Sequence, residues 1–203
     1  MRDPSEFITK KGTPFIVIVS RLAFVTYFIF AGYALLYPFS PSSRLNLVWV
    51  VYLLALYFLA ERFYDIFRQR NIDMAFAFPI LFAIYLLNLV ALIFGGQEKF
   101  PILNRVEHFA IFVLIAYVIS VFFSEYLPHN VWHNHPYYTA LLVMSVTALF
   151  GVANEIIELL FDTLFRTHHV GRGLDTSLDL LMNTLGSGLM LAVRLIVAPT
   201  KPR

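Results

Sequence analysis

With 203 residues, 59% hydrophobic and only 14% charged, and a mean hydropathy of +0.72, the chain has too little polar material to cover a soluble domain. A net charge of +2 gives no basis for nucleic-acid binding, and the absence of cysteine excludes disulfides and thiolate chemistry. Apolar runs of about 20 residues recur, the length a helix needs to cross a ~30 Å hydrocarbon core. They are continuous and do not alternate, which argues against an outer-membrane barrel. The fold class is therefore all-α: one polytopic membrane domain over residues 1–203, built as a helical bundle.

Six transmembrane helices are expected, at about 15–37, 45–67, 74–94, 106–125, 137–161 and 176–197. The first follows Lys10 and Lys11 with no small-residue cleavage site after it, so it reads as a retained span and not a signal peptide. Arg21 lies within it, and Glu61 and Asp65 lie near the end of the second. An Arg21–Glu61 pair tying two helices together is the plainer reading of these charges; a polar vestibule is the other. Tyr37, Trp49, Tyr137 and Tyr138 fall at span ends, where an interfacial belt is expected.

An even number of spans puts both termini on one side. That side holds Arg2, Lys10, Lys11, Arg68, Arg70, Lys201 and Arg203, with Arg62 and Arg194 near it. The other holds Arg44, Lys99, Arg105, Arg166 and Arg172. The basic excess predicts cytoplasmic termini. Because the chain has no cysteine, the topology is open to a simple test. His168→Cys is expected to react with an impermeant thiol reagent from outside the cell, and His133→Cys is not. Labelling of both from outside would overturn the six-span arrangement.

The fourth span begins, the fifth ends and the sixth begins at the same membrane face. Glu107 and His108, then Glu155, Glu158 and Asp162, then Asp175 and Asp179 thus gather there, whichever way the chain is oriented. Spacings of three and four residues align Glu155, Glu158 and Asp162 on one helix face, and Asp175, Asp179 and Asn183 on another. Glu155 lies seven residues inside Asp162, a depth of ~10 Å at which a carboxylate needs a polar cavity or a partner. Several acids in one pocket either keep some of their protons or are neutralised by cations. Arg105, Arg172 and His108 are fewer than the acids, so a bound divalent metal ion would complete the balance. The alternative is that these acids pair with Arg and backbone donors and lock helix packing.

Histidines 129, 133 and 135 and histidines 168 and 169 have the look of a membrane di-iron His box, but the six spans put the two groups on opposite faces. Ligands of one site cannot lie ~30 Å apart across the hydrocarbon. Gly186 and Gly188 are expected to permit close helix approach.

The segments "NRVEHF" (104–109), "NEIIE" (154–158) and "DLLMNTLG" (179–186) resemble the VanZ-like membrane proteins in order and spacing: a basic residue before a His, a later Glu-rich helix, and Asp-x3-Asn-x2-Gly. "SEYL" after the fourth span and the "DTSLD" pair are closer to the YjdF-like branch of inner-membrane proteins. The resemblance covers about residues 100–190 and falls on Arg105, His108, Glu125, Glu155, Glu158, Asp175, Asp179, Asn183 and Gly186. Asn104 stands where the family often has Asp, and Glu158 where it often has Gln. The resemblance implies a multi-pass protein of a bacterial or archaeal cytoplasmic membrane, VanZ itself being linked to glycopeptide resistance. It supplies no reaction.

The functional expectation is a metal-dependent hydrolase or transferase acting on a phospholipid or lipid-linked headgroup. Glu155, Glu158, Asp175 and Asp179 would hold the ion, with His108 as ligand or base and Arg172 meeting a phosphate. Arg105, Glu107, Asp162 and Asn183 complete the polar pocket. The competing class is a lipid- or drug-binding accessory protein, or a proton-coupled carrier, using the same acids without turnover.

Overall fold

The computed structural model describes residues 13–37, 45–93, 101–166 and 174–197. Among them are seven helices and no strand: α1 (Phe15–Leu36), α2 (Leu47–Gln69), α3 (Ala77–Ile93), α4 (Pro101–Tyr126), α5 (His129–Asn134), α6 (Pro136–Phe165) and α7 (Asp175–Val197). Five, namely α1, α2, α4, α6 and α7, are long and apolar enough to span a membrane. At 17 residues α3 is shorter, at the lower limit of about 17 for a span.

Local chemistry sets the boundaries. Pro14 precedes α1, and Pro136 opens α6, where a missing N–H costs nothing. The Asn46 side chain accepts from Trp49 N at 2.9 Å and caps α2. Beyond α2, Asn71 turns the chain at φ 60°, and Arg166 closes α6 in the same left-handed region at φ 53°. Asp175 sits in the first turn of α7, where a carboxylate suits the helix dipole.

Three differences from the expected spans bear on the site. Helix α4 starts at Pro101 and not near 106, so Asn104, Arg105, Glu107 and His108 are helical residues with fixed directions. Helix α6 runs on to Phe165, which takes Asp162 into its last turn. The histidine-bearing connection after α4 contains the short helix α5, whose Trp132 is buried against Ala116, Val143 and Leu191. In the first two cases polar side chains continue a helix where hydropathy alone ends it.

The helices form two groups. In the first, α1 packs on α3 and α2 around an aromatic core, with Phe24 and Tyr85 edge to face at 5.1 Å. The Tyr85 hydroxyl donates to Leu53 O at 2.6 Å and binds α3 to α2. Arg21 and Glu61 do pair: Nε donates to Oε1 at 2.8 Å and a terminal nitrogen to Oε2 at 2.5 Å, with the Tyr57 hydroxyl on the same carboxylate at 2.6 Å. That arrangement ties α1 to α2, as a helix-locking pair should.

The second group is α4, α6 and α7, and the α4–α7 contact is the most extensive among the described helices. Gly186 is the reason. A Cβ there would lie 2.3 Å from the backbone oxygen of Phe109 and 3.2 Å from Val113 N. Gly151 does similar work for α6, where a Cβ would stand 3.0 Å from Asn183 Nδ2. Gly188 does not share the role expected of it, since nothing lies within 4 Å of its would-be Cβ. It is two residues from Gly186, so on a helix it faces elsewhere. The outward faces carry exposed apolar side chains such as Leu22, Leu149 and Leu189, as a lipid-facing surface requires.

Candidate metal centre

Three helices contribute the polar residues. The first two turns of α4 offer Asn104, Arg105, Glu107 and His108. Asn104 and His108 are four apart and face α7, where Asp179 and Asn183 form the matching stripe. On α6, Thr139, Val143, Thr147, Gly151, Glu155 and Glu158 form the buried face. Close approach at Gly186 and Gly151 brings these stripes into one interior.

Asp179 is the hub and is 3% exposed. Its Oδ1 accepts from Asn104 Nδ2 at 3.1 Å and from one terminal nitrogen of Arg105, while the other terminal nitrogen of Arg105 bonds Asp175 Oδ1. One guanidinium thus bridges both aspartates of α7. His108 Nδ1 lies 3.0 Å from Asn183 Oδ1. An oxygen partner makes Nδ1 a protonated nitrogen, so that in the neutral ring Nε2 bears the lone pair. Nε2 stands 3.7 Å from Asp179 Oδ1, too far for a hydrogen bond.

In the neutral ring that lone pair faces a carboxylate oxygen, an unfavourable pairing that a cation or a second ring proton would relieve. Glu155 supplies the third side. One ligand atom each from His108, Glu155 and Asp179 lies within 4.8 Å of the others. Two ligands of a tetrahedral ion with bonds near 2.1 Å are about 3.4 Å apart, so small side-chain movements would close the set. Glu155 Oε1 is buried with no hydrogen-bond partner, and so is Asn183 Nδ2. Leaving a buried carboxylate oxygen unsatisfied costs about 1–3 kcal/mol or more, which a bound ion would remove. A histidine whose other ring nitrogen is held by a carbonyl oxygen is the usual metal-ligand arrangement.

Beside this cluster lies a cavity of about 60 Å³ whose polar walls include Asn88, Asn104, Glu107, His108, Asn154 and Glu158. That space suits a few waters or a hydrated ion, not a whole headgroup. Its acids are held in place. Trp49 Nε1–H donates to Asn88 Oδ1 at 2.8 Å, Asn88 Nδ2 donates to Glu107 Oε1 at 3.1 Å, and Asn154 Nδ2 donates to Glu158 Oε1 at 2.7 Å.

Of the residues singled out from sequence, His108, Glu155 and Asp179 converge, with Arg105 and Asn183 touching them. Asp175 is engaged by Arg105, and Glu158 and Glu107 line the adjoining cavity. Asp162 is half-buried a turn beyond Glu158. Glu125 is exposed near the far end of α4, about 25 Å from His108 along the axis. Arg172, His168 and His169 lie outside the described residues. The sequence reading missed Asn88 and Asn154, and it did not foresee that Trp49, in the first turn of α2, is 4% exposed and bonds Asn88. Asn88 had left a signal, as the one strongly polar side chain in α3.

A family model described as "Predicted membrane protein (DUF2238)" matches residues 18–199. The chain belongs to that family. No curated protein and no solved structure matches it.

Proposed function

We propose that this member of the family binds a divalent cation through His108, Glu155 and Asp179 and uses it to hydrolyse or transfer a phospholipid or lipid-linked headgroup. The observation that carries the reading is the convergence of three ligand atoms from three helices on a point where a buried Glu155 oxygen lacks a partner. Three protein ligands leave coordination positions open, as catalytic sites do. A set of two carboxylates and one imidazole suits zinc, manganese or iron better than a soft metal.

The bound ion would polarise a phosphoryl oxygen and lower the cost of deprotonating a water. The chain's own groups do the rest. Asn183 fixes the His108 ring, while Arg105 and Asn104 hold Asp179. Glu158 borders the cavity one turn from Glu155, a position for accepting a proton from attacking water. The three segments with VanZ-like and YjdF-like resemblance supply most of these residues, which supports one shared pocket. We orient the site toward the outer face of a bacterial or archaeal cytoplasmic membrane, with the termini inside, on the distribution of Lys and Arg.

Elemental analysis of the purified protein tests the reading. About one equivalent of a divalent transition metal is expected in the unmodified chain. Outer-shell partners already cost about 10–100-fold in affinity when lost, so Glu155→Gln should exceed that and bring metal to background while the helices stay folded. Metal-free protein that still binds lipid in proportion to its charge would favour a non-enzymatic accessory protein or a proton-coupled carrier instead.

A further inference from the structure

On the lipid side of the α4–α7 contact lies a groove of roughly 500 Å³, walled by Ile102, Val106 and Phe109 from α4 and by Leu178 and Met182 from α7, with Arg105 beside them. We propose that this groove seats an acyl chain of a glycerophospholipid, with the lipid phosphate at Arg105, so that substrate reaches the metal centre sideways from the bilayer. The inference rests on the proposed lipid-headgroup chemistry and names its substrate class and route.

The walls argue for a hydrocarbon chain over a helix. Helix partners in membranes dock through small residues that let backbones approach, as Gly186 does deeper in the same seam. Here the rim is made of large side chains, and Ile102 is 74% exposed. The depth is also right. The groove residues fall within the first nine positions of α4 and the first eight of α7, or within about 12 Å of the helix starts. That is the level at which acyl chains meet headgroups.

Charge then fixes which end of the lipid lies where. Arg105 is the one charged residue on the wall. Its bonds to the two aspartates use three of the five guanidinium N–H donors, which leaves two for a phosphate. The same guanidinium touches Asp179 of the metal centre. A phosphate on its free edge therefore sits one residue away from the ion.

Photo-labelling in nanodiscs tests this. The probe is a phosphatidic acid with a diazirine in one acyl chain, diluted into phosphatidylcholine. Labelling should concentrate on residues 101–109 and 178–182. The double variant Val106→Trp, Met182→Trp, which fills the groove, should cut seam labelling by at least about tenfold at unchanged metal content. Unlabelled phosphatidic acid should compete about tenfold better than diacylglycerol, the size expected for a hydrogen bond to a charged group. Labelling spread evenly over the exposed helices, labelling insensitive to the two tryptophans, or equal competition by diacylglycerol would each overturn the proposal. So would a photo-crosslink joining two copies of the chain at this seam. Seam labelling in a protein that holds no metal would leave the groove standing and sink the metal reading alone.

Discussion

Asp179→Asn is expected to strip the protein of its metal and to destabilise it by about 3 kcal/mol, the lower end of the range for breaking a buried ion pair. The replacement is nearly isosteric and leaves an oxygen for Asn104 to donate to. What it removes is charge, and Asp179 is where charge matters most: its side chain is 5% exposed, against 23% for Asp175. Arg105 would keep Asp175 as its one anionic partner among the described residues, and the site would lose one of its two anionic ligands. Asp175→Asn should be milder on both counts, since Asp179 still answers the guanidinium and Asp175 stands outside the three-atom cluster. Metal content and thermal unfolding in detergent, measured on the same preparations, separate the two roles. Loss of stability with metal retained would make Asp179 a packing residue. Unchanged function in a chain carrying both substitutions would defeat the metal proposal outright.

The contrast between these aspartates also shows where sequence reasoning stops. Their four-residue spacing correctly puts them on one face of α7, and the order of the spans correctly brings that face to the start of α4 and the end of α6. Neither argument says which neighbour claims which oxygen. Arg105 takes Asp175, and that depends on α4 being helical from Pro101, five residues before hydropathy would start it. Glu155 and Glu158 diverge for a related reason. Three residues advance a helix by about 300°, so the two carboxylates are about 60° apart in direction. That suffices to aim Glu155 at α7 and Glu158 into the cavity beside α3. Asn88 and Trp49 were harder to see, because their role depends on α2 and α3 packing against α4, which no local pattern encodes.

Gly186→Ala is expected to have the opposite sign from an ordinary helix substitution. Replacing Gly by Ala inside a helix gains about 1 kcal/mol from propensity alone, and Gly188→Ala should show that gain or no change, since its Cβ enters open space. At Gly186 the new methyl meets the Phe109 carbonyl oxygen at 2.3 Å, and both of its other close neighbours are also backbone atoms. Backbone cannot move aside as a flexible side chain can, so α4 and α7 must separate. Overpacking of this kind costs about 1–3 kcal/mol, occasionally more. The consequence for the site is larger than the consequence for stability. Asn183 and Asp179 lie one and two turns along α7 from Gly186; Asn183 meets α4 at His108, 3.0 Å away, and Asp179 meets it at Asn104 and Arg105 and approaches His108 to 3.7 Å. A shift of about 1 Å between the helices breaks the His108–Asn183 hydrogen bond and frees the ring to turn away from Asp179. The alanine variant should therefore unfold at lower temperature and hold little metal, while Gly188→Ala keeps both. A Gly186→Ala protein as stable and as metal-loaded as the parent would show that the α4–α7 approach does not set the geometry of the centre.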